Sequence, residues 1–598
     1  MTSLVAEEDL SEEFSMFGIE LDDEDVVLKL QELCTMHRLD AGNMVTEWVA
    51  FTHSKKNITM TLDVLDQFER ERLSKRHQKT PKSVKKGNAP KIHSIDTLPM
   101  DVEAAEELYS AYGGNTPTSK RTISNKRQHT PENAPIKRFT GPNRSPAVPY
   151  SPSSFSPAST TPAKKYNSRT NRGDVVASLS DTDGTAWHGS GKEVTIETYA
   201  PEQNVTRNFK YMFQKMSDKR DVLNDMIEDM AEHIQKVHNI EEFSHVALPT
   251  QEEVTIVGRI CCDSNGKLNA KSVVLEGSID MSSGKMIPVD LSQLKEFALF
   301  PGQMVAMTGH NSTGQKFVAS KLLESVPLPL PEIKTSQENA SRLSLLVAAG
   351  PFSTSDSLSY EPLSDLVEQI RIVRPDVCIL MGPFVDCKNT EIENGNCTLP
   401  FEEIFQSKIE EIAQATENLN VKVVILPSYR DIHHDPLYPT PPYKYENSKH
   451  KHIQFHTDPC TLRINNVVVG LTSTDVLFQM GSEEIAFPPG GSDRLGRLVQ
   501  HLLSQHSYYP FYPPSEEMCI DYEKFPASGF MPTTPHIFIL PSEFKQFIKD
   551  IKGCCCINPG RLTKGLTGST FAKVVVETNK LASNQPLVKN VTAQIVRV

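Results

Sequence analysis

The 598-residue chain lacks the signs of an exported, disulfide-bonded or membrane-spanning protein. Its 11 cysteines show no Cys-x-x-Cys spacing, and the run Cys554–Cys556 fits neither a zinc site nor a disulfide framework. We expect this run to form a buried strand, and unpaired cysteines predict a reducing compartment. The acidic segment from Met1 to Asp25 holds no long apolar run, so we expect no secretory signal. No stretch reaches the roughly 18 apolar residues of a membrane span.

Signatures of nucleotide binding and of serine hydrolases are also missing. The chain has no Gly-x-x-x-x-Gly-Lys loop that would cradle phosphates and no Gly-x-Ser-x-Gly nucleophile turn. Its formal net charge is −13, so bulk charge does not draw the whole chain to polyanions. The length is sufficient for two or three domains with substantial cores.

Two predicted parts precede the main body of the chain. Residues 1–78 show apolar stripes at helical spacing, including Val45, Trp48 and Val49, and predict a small helical domain that docks partners. Residues 79–174 are rich in Pro, Ser, Thr, Lys and Arg, which predicts a disordered, basic linker. Its basic pairs suit nuclear import, and its Ser/Thr-Pro pairs are candidate phosphorylation sites. These candidate sites are Thr80, Thr116, Thr130, Ser145, Ser151, Ser156 and Thr161.

The main body is predicted to hold two further domains, which makes the chain a multidomain α+β protein. Residues 175–335 combine a long helix, Met216–His238, with short strands and tight turns. Because the segment Phe300–Asn311 looks like the late strand and turn of an oligonucleotide-binding (OB) fold β-barrel, we interpret this part as an OB domain with a preceding helix. Residues 336–598 alternate strands with helices, which predicts an α/β sandwich. Within the sandwich we expect a helix over Glu543–Ile551.

Two strand-and-loop segments of the predicted sandwich are the most informative. Segment Arg374–Asp386 is a strand followed by Gly382-Pro383, and segment Val423–Asp435 is a strand followed by Ser428-Tyr429-Arg430. Two metal ions about 3.5–4 Å apart need a bridging carboxylate and several anionic or imidazole ligands. A proline side chain offers no ligand atom, and an arginine stays protonated and repels a cation. The two segments therefore have the layout of a two-metal phosphoesterase without its ligands.

These segments, with several others, resemble the B subunits of replicative DNA polymerases, most closely those of the polymerase alpha branch. The resemblance implies an OB fold joined to an inactivated calcineurin-like phosphoesterase domain that binds no cofactor. Against the family pattern, metal-ligand positions are replaced at Ala349, Pro351, Pro383, Tyr429 and Arg430. The matching segments are Leu346–Asp356, Leu426–Pro439, Gly470–Asp475, Ser507–Pro514 and Ile557–Gly565.

The resemblance implies a function as well as a fold. It implies a nuclear, non-catalytic accessory subunit of the DNA polymerase alpha–primase complex, which supports the initiation of DNA replication by primer synthesis. The implied partners are the C-terminal domain of the catalytic subunit and, within the complex, the primase subunits. The N-terminal domain would recruit other replication factors, and contact with DNA would be weak or indirect.

A metal-dependent function is one alternative that the sequence leaves open. Asp386, Asp431 and the run His433–Asp435 supply carboxylates and imidazoles that suit a phosphodiesterase or nuclease with a rearranged site. Adjacent residues on one loop rarely point at one ion. We therefore expect these side chains to stabilise the loop or to contact a partner.

Binding of single-stranded DNA by the OB barrel is the second alternative. Such sites combine stacking aromatic side chains with a cationic groove. The strand region offers only Phe297, Phe300 and Phe317 as aromatic candidates, and Phe317 occupies a predicted core position. Contact with protein is the use of the barrel that this composition favours.

Overall fold

The computed structural model describes two N-terminal helices with a few neighbouring residues, and then residues 164–598 apart from short gaps. The gaps are residues 181, 183, 204, 206–209, 265, 333–341, 446–449, 490–492 and 578–585. All seven candidate phosphorylation sites lie outside the described residues, namely Thr80, Thr116, Thr130, Ser145, Ser151, Ser156 and Thr161.

The described N-terminal residues form one apolar core around two helices, α1 (Glu24–His37) and α2 (Ala41–His53). Trp48 is buried in this core, and the centroid of its ring lies 5.7 Å from that of Phe51 and 5.3 Å from that of Phe68. Aromatic rings at these distances attract one another beyond the area that they bury. The apolar stripes predicted from the sequence therefore face one another.

The following helices and strands make up residues 164–598. The helices are α3 (Lys164–Asn167), α4 (Met216–His238), α5 (Ile279–Ser282), α6 (Glu361–Val373), α7 (Thr390–Glu393), α8 (Phe401–Thr416), α9 (Val476–Glu483), α10 (Arg494–Ser504) and α11 (Phe525–Ser528). The first strands are β1 (Val175–Leu179), β2 (Ile196–Thr198), β3 (Thr250–Cys262), β4 (Val273–Glu276), β5 (Met286–Asp290), β6 (Phe297–Leu299), β7 (Met304–Asn311) and β8 (Phe317–Leu323). The later strands are β9 (Arg342–Ala349), β10 (Val377–Met381), β11 (Lys422–Leu426), β12 (Ile453–Phe455), β13 (Cys460–Ile464), β14 (Val467–Leu471), β15 (Ile485–Phe487), β16 (Ile537–Ile539), β17 (Phe547–Ile551), β18 (Cys554–Asn558), β19 (Thr563–Lys564), β20 (Thr567–Gly568), β21 (Thr570–Glu577) and β22 (Val591–Arg597). Among the helices that the structure describes, none has the length and apolar character needed to cross a membrane.

Strands β3, β4, β5, β8 and β7 close a barrel in that order. Side chains such as Leu275 and Phe317 fill its interior and are fully buried. Helix α4, which has the bounds that the sequence predicts, lies against the barrel because its apolar residues recur every three or four positions. Ile227 and Ile234 of this helix pack onto Leu323 of the barrel.

The rest of the body is a four-layer sandwich with two β-sheets at its centre. A seven-stranded sheet (β1-β22-β21-β9-β10-β11-β12) faces a six-stranded sheet (β17-β18-β16-β14-β13-β2). Successive side chains of a strand point to opposite sides, so Val347 lies between the sheets and Leu346 lies under α6 and α8. Likewise, Cys555 faces the core between the sheets, whereas Cys554 and Cys556 face α9 and α10. The predicted buried strand at this cysteine run is confirmed.

Barrel and sandwich are fixed to one another by polar and close backbone contacts. The buried amide of Gln505 on the sandwich side pairs with both backbone groups of Met304 in the barrel, at 2.8 and 3.0 Å. Gly302 of the barrel has φ +97°, and a β-carbon there would lie 2.3 Å from the backbone nitrogen of Tyr512. The guanidinium of Arg259 lies 4.3 Å from the centroid of the Tyr512 ring.

The end of the predicted linker is anchored to the sandwich, contrary to its predicted limit at residue 174. Tyr166 is fully buried and donates its hydroxyl to Asp365 at 2.7 Å. Arg169 and Arg172 both pair with the same carboxylate, and Arg169 also donates to Val598 O at 3.0 Å. Composition could not predict this anchor, because it depends on a single buried aromatic side chain and on a carboxylate far away in the sequence.

The predicted helix over Glu543–Ile551 is wrong, because its second half is strand β17. Phe544, Phe547 and Ile551 recur at helical spacing, but β17 pairs antiparallel with β18 and tertiary pairing overrides the local pattern. Strands β1 and β2, from the predicted 175–335 part, pair with β22 and β13 of the two sheets. The first residues of that part therefore belong structurally to the sandwich.

Candidate functional site at the strand ends of the sandwich

The candidate site lies at one edge of the sandwich, where strands of both sheets end. The parallel strands β9, β10 and β11 end at Ala349, Met381 and Leu426. Leu562, which follows β18 of the other sheet, donates its backbone N–H to Ala349 O at 2.7 Å. Loops after parallel strands meet at the carboxyl edge of a sheet, which is where α/β proteins usually bind ligands.

The first two loops bring no ligand atom to this edge from the replaced positions. The side chain of Ala349 lies in the core between the sheets, and Pro351 and Pro383 contribute only ring methylenes. A β-carbon on Gly350 would lie 2.1 Å from Pro383 O, so the two loops are in direct contact. These two loops therefore pack tightly against each other at this edge.

The third loop contributes Arg430, which forms an ion pair with Asp386 from the second loop. The guanidinium binds both carboxylate oxygens, with Nε–Oδ1 at 3.1 Å and Nη2–Oδ2 at 2.5 Å. The two side chains are 16% and 8% exposed, respectively. Burial works against the charge of Arg430, but the negative charge and hydrogen bonds of Asp386 outweigh it and raise the pKa of the guanidinium. Asp386, a candidate metal ligand from the sequence, is therefore bound by two nitrogens of an arginine side chain instead.

Asp431, the second carboxylate considered as a metal ligand, connects the same loops through hydrogen bonds. Its Oδ1 accepts the backbone N–H groups of Phe384 and Val385 at 2.6 and 2.8 Å. Its Oδ2 accepts the N–H of Ser428 at 3.2 Å and the hydroxyl of Tyr443. Burial raises the pKa of Asp431 to about 7, although these hydrogen bonds oppose the shift. With four donors on its two oxygens, this carboxyl group acts as a loop clamp.

His433 is packed as a core side chain, and its Nδ1 lies 3.9 Å from Oδ1 of Asp431, beyond hydrogen-bond distance. Its side chain is 5% exposed, and its ring stacks on Phe405 at 4.4 Å and on Tyr443 at 5.4 Å between centroids. Both ring nitrogens are buried without a hydrogen bond. Burial, together with the neighbouring His434, lowers the pKa of His433 to about 3. The imidazole is therefore neutral and serves as a flat core side chain.

The last two residues of the His-His-Asp run have separate partners. His434 donates its Nε2–H to Pro441 O at 2.7 Å. Asp435 accepts the hydroxyl of Tyr211 at 2.7 Å and lies 3.2 Å from the ammonium group of Lys444. Within the described part of the chain, no group of three or more His, Cys, Asp and Glu side chains is placed to hold a metal ion.

Sequence reasoning missed a second buried arginine at this edge. Arg561 is 2% exposed and donates Nη1–H to Ser473 O at 3.2 Å. Its Nε lies 3.8 Å from the carboxylate of Glu543. The segment Ile557–Gly565 carries Arg561 and was recognisable by resemblance, but no local pattern marked it as part of the site. Nothing in the sequence signalled Tyr443.

Comparisons with known proteins agree with this geometry. Three family descriptions match successive parts of the chain: the N-terminal part of the DNA polymerase alpha B subunit at residues 8–75, the OB domain of the same B subunit at 220–325, and the B subunit of DNA polymerases alpha and epsilon at 345–549. The DNA polymerase alpha B subunit of Rattus norvegicus is 43% identical over 99% of this chain and 100% of its own length, and that of Mus musculus gives the same values. The Schizosaccharomyces pombe protein of the same name is 32% identical over 63% of this chain and 69% of its own.

The barrel and the sandwich thus place the molecule in the class of DNA polymerase B subunits. With 43% identity to the rat protein over almost the whole length, the chain belongs to the family of DNA polymerase alpha B subunits. The resemblance stated from sequence is confirmed, as is the OB fold of the barrel region.

Proposed function

We propose that this protein is a non-catalytic accessory subunit that scaffolds the C-terminal domain of the DNA polymerase alpha catalytic subunit, and through it primase, during primer synthesis. Family membership supports the subunit role. The proposal that the protein is not catalytic is supported by the buried, bidentate ion pair of Arg430 and Asp386 at the strand-end edge. In this proposal the sandwich is a calcineurin-like phosphoesterase domain that has lost its activity.

Binding of a metal ion at this edge would require several favourable contacts to be given up. The ion would have to displace the guanidinium of Arg430 from Asp386 and compete with four donors for Asp431. Carboxylates bind metals in their deprotonated form, and the pKa of Asp431 near 7 disfavours that form. Removing one partner of a buried ion pair typically costs about 3–5 kcal/mol.

The scaffold role rests on the fixed joint between barrel and sandwich. The amide of Gln505 and the backbone of Met304, together with the close approach at Gly302, hold the two parts in one arrangement. A surface that is already ordered loses less conformational entropy when a partner binds. Permanent interfaces often exceed about 2,000 Å², which a surface spanning both parts can supply.

The barrel is proposed to contact protein rather than single-stranded DNA. Phe317 lies in the barrel core and Phe300 in the core of the sandwich, both fully buried. Phe297 stacks on Phe487 at 6.0 Å between centroids. Two of the three aromatic candidates are therefore buried and the third already stacks on another ring, which favours contact with protein over base stacking.

Co-purification tests the scaffold proposal. We expect a fragment of residues 164–598, which keeps the Tyr166 anchor, to form a stoichiometric complex with the C-terminal domain of the catalytic subunit. We expect primase to join only when the catalytic subunit is present. A Gly302→Leu variant, which forces barrel and sandwich apart, should bind more weakly. A folded 164–598 fragment that fails to bind the domain would refute the proposal.

The remaining parts are proposed to regulate the nuclear protein rather than to build its core assembly. The N-terminal helices recruit other replication factors, and the basic linker is phosphorylated at Ser/Thr-Pro pairs such as Thr130 and Ser145 by cyclin-dependent kinase. Each phosphate adds about −1.5 to −2 charges and offsets nearby Lys and Arg. Mass spectrometry of protein from mitotic and G1 cells, with the affinity for the catalytic subunit measured on each form, tests this. An unmodified linker in mitosis, or a large loss of affinity after phosphorylation, contradicts it.

A further inference from the structure

A separate cleft lies at the opposite edge of the sandwich, where β10 and β11 begin. It has a volume of about 650 Å³ and is enclosed by the end of α6, the residues before β10 and β11, and the segment His188–Gly191. A strand rises about 3.3 Å per residue, so the five residues of β10 put the cleft roughly 16 Å from the Arg430 edge. The cleft is therefore independent of the replaced ligand positions.

The wall of the cleft is held firmly by the carboxylate of Asp376. Its Oδ1 accepts the backbone N–H and the hydroxyl of Ser190 at 2.6 and 2.9 Å, and its Oδ2 accepts the N–H of Ser344 at 2.8 Å. A β-carbon on Gly189 would lie 2.7 Å from Oδ1 of the same residue, so only glycine fits there. These hydrogen bonds hold the carboxylate in the wall, where its single negative charge offsets only part of the positive charge of any two cations in the cleft.

The carbonyl groups at the end of α6 are also paired. Val373 O accepts the Nδ1–H of His188 at 2.9 Å, and Arg374 O accepts the N–H of Gly189 at 2.8 Å. Ile370 O accepts the backbone N–H of Arg374 at 2.8 Å, and Arg371 O accepts its Nε–H at 3.3 Å. The end of a helix otherwise carries partial negative charge on unpaired carbonyl groups. Here that charge is largely satisfied by neighbouring donors.

Two arginine side chains then give the cleft its positive charge. Arg371 and Arg374 line it, both are exposed, and neither forms an ion pair with any residue in the described part of the chain. Glu368, one turn before Arg371 on α6, does not approach within ion-pair distance of either. Guanidinium groups bind carboxylates and phosphates through paired N–H donors. The cleft is therefore equipped to receive an anionic group.

Apolar side chains beside the arginines narrow the choice of ligand. Ile372 is 56% exposed, and Leu419 and Pro375 complete the apolar part of the lining. Nucleic acid is bound mainly through contacts of cationic side chains with many phosphates, whereas this cleft presents two arginines beside apolar groups. A peptide with carboxylates next to an aliphatic side chain matches both features.

We propose that this cleft binds an acidic peptide segment of a partner protein, with its carboxylates on Arg371 and Arg374 and an aliphatic side chain against Ile372. The peptide would contact only this cleft, whose wall is already ordered. Its binding is therefore compatible with a permanent interface on another surface of the molecule. It is a docking site for a further partner, and it does not depend on the proposed scaffold function.

Fluorescence anisotropy with the full chain tests this proposal. The probe is a labelled short peptide in which Asp and Glu alternate with Leu, and the matched peptide carries Asn and Gln in place of the acids. We expect saturable binding of the acidic peptide only, and at least tenfold weaker binding by the Arg371→Glu, Arg374→Glu double variant. Ile372→Ser should weaken binding severalfold for the Leu peptide and leave binding of an otherwise identical Ala peptide unchanged.

A charge-matched control separates the cleft from general electrostatics. Lys545 and Lys552 are exposed lysines far along the chain, and Lys545→Glu, Lys552→Glu should bind the acidic peptide as the unaltered protein does. Equal thermal unfolding of both double variants excludes a folding defect. Equal binding of the acidic and neutral peptides, or equal loss in the two double variants, would overturn the proposal. So would displacement of the peptide by oligo(dT) at lower concentration than by unlabelled peptide, because the site would then favour nucleic acid.

Discussion

Replacing Arg430 with methionine should destabilise the sandwich by about 3 kcal/mol, because it leaves Asp386 buried without its cation. The substitution keeps a long side chain and removes only the guanidinium. Asp386 then retains the backbone N–H of Lys388, at 3.2 Å, as its hydrogen-bond donor. Loss of one partner from a buried pair costs about 3–5 kcal/mol. The lower value applies here because the two side chains are 16% and 8% exposed.

Urea unfolding followed by tryptophan emission measures this loss in the sandwich alone. The chain has two tryptophans, and Trp187 packs against the core under α6 and α8, whereas Trp48 lies among the N-terminal helices. In a Trp48→Phe background the emission therefore reports the sandwich. With a slope of about 3 kcal/mol per molar urea for a domain of this size, the midpoint should fall by about 1 M.

Two further variants separate the ion pair from a general effect of losing an arginine. Arg220 pairs with Asp221 on the surface, where the side chains are 64% and 56% exposed, so Arg220→Met should change stability by less than about 0.5 kcal/mol. Adding Asp386→Asn to Arg430→Met removes the stranded charge and should restore part of the loss. An Arg430→Met midpoint within about 0.2 M of the parent, or no recovery in the double variant, would refute the assigned role of the pair.

Three further outcomes follow from the same structure. The purified protein should show no phosphodiesterase or nuclease turnover with Mn²⁺, Mg²⁺ or Zn²⁺, and turnover that vanishes in an Asp386→Ala, Asp431→Ala variant would contradict this. His433→Phe should stabilise the sandwich in acid. The pKa of His433 is near 3 in the folded protein and about 6.5 in the unfolded chain, so protonation favours unfolding as the pH falls below about 6.5. At pH 5 this histidine should lower the free energy of unfolding by about 2 kcal/mol. A midpoint difference between variant and parent that does not widen from pH 7.5 to pH 5 would show that the ring is accessible to protons. Tyr166→Ala should speed tryptic cleavage after Arg169 and Arg172 several-fold, because it removes the buried ring. Tyr166→Phe keeps that ring and should have a smaller effect. Unchanged cleavage in the Ala variant would mean that Tyr166 does not anchor this segment.

Much of the fold could be predicted from local patterns because many elements are long or strongly apolar. Helix Met216–His238 has the bounds that periodicity predicts, and the buried strand at Cys554–Cys556 was also predicted. Strand β17 was misassigned because Phe544, Phe547 and Ile551 fit a helix as well as an edge strand. Only the pairing with β18 decides between the two, and that pairing is a tertiary contact that local sequence does not contain.

The sequence was sufficient to predict which positions of the candidate site lack metal-ligand side chains. It was not sufficient to predict the hydrogen bonds that connect the loops of the site. Pro383 and Arg430 stood out because their side chains cannot bind a cation, whatever the surrounding structure. The partners of Asp431 were hidden, since two of its donors are backbone N–H groups from another loop and one is the hydroxyl of Tyr443, 12 residues later. The Tyr166 anchor joins residues 199 positions apart, a distance that no local pattern spans.

Hydrogen bonds and one ion pair between side chains and backbone hold the loops at the strand ends of the sandwich together. Carboxylates clustered at one edge would repel one another unless a cation or a proton neutralised them. Arg430 supplies that cation for Asp386, whereas four hydrogen-bond donors surround Asp431, whose pKa burial raises to about 7. The loops are thereby fixed by side chains of the chain itself. Such a fixed edge suits the scaffold role that we propose, because an ordered surface loses less conformational entropy when a partner binds.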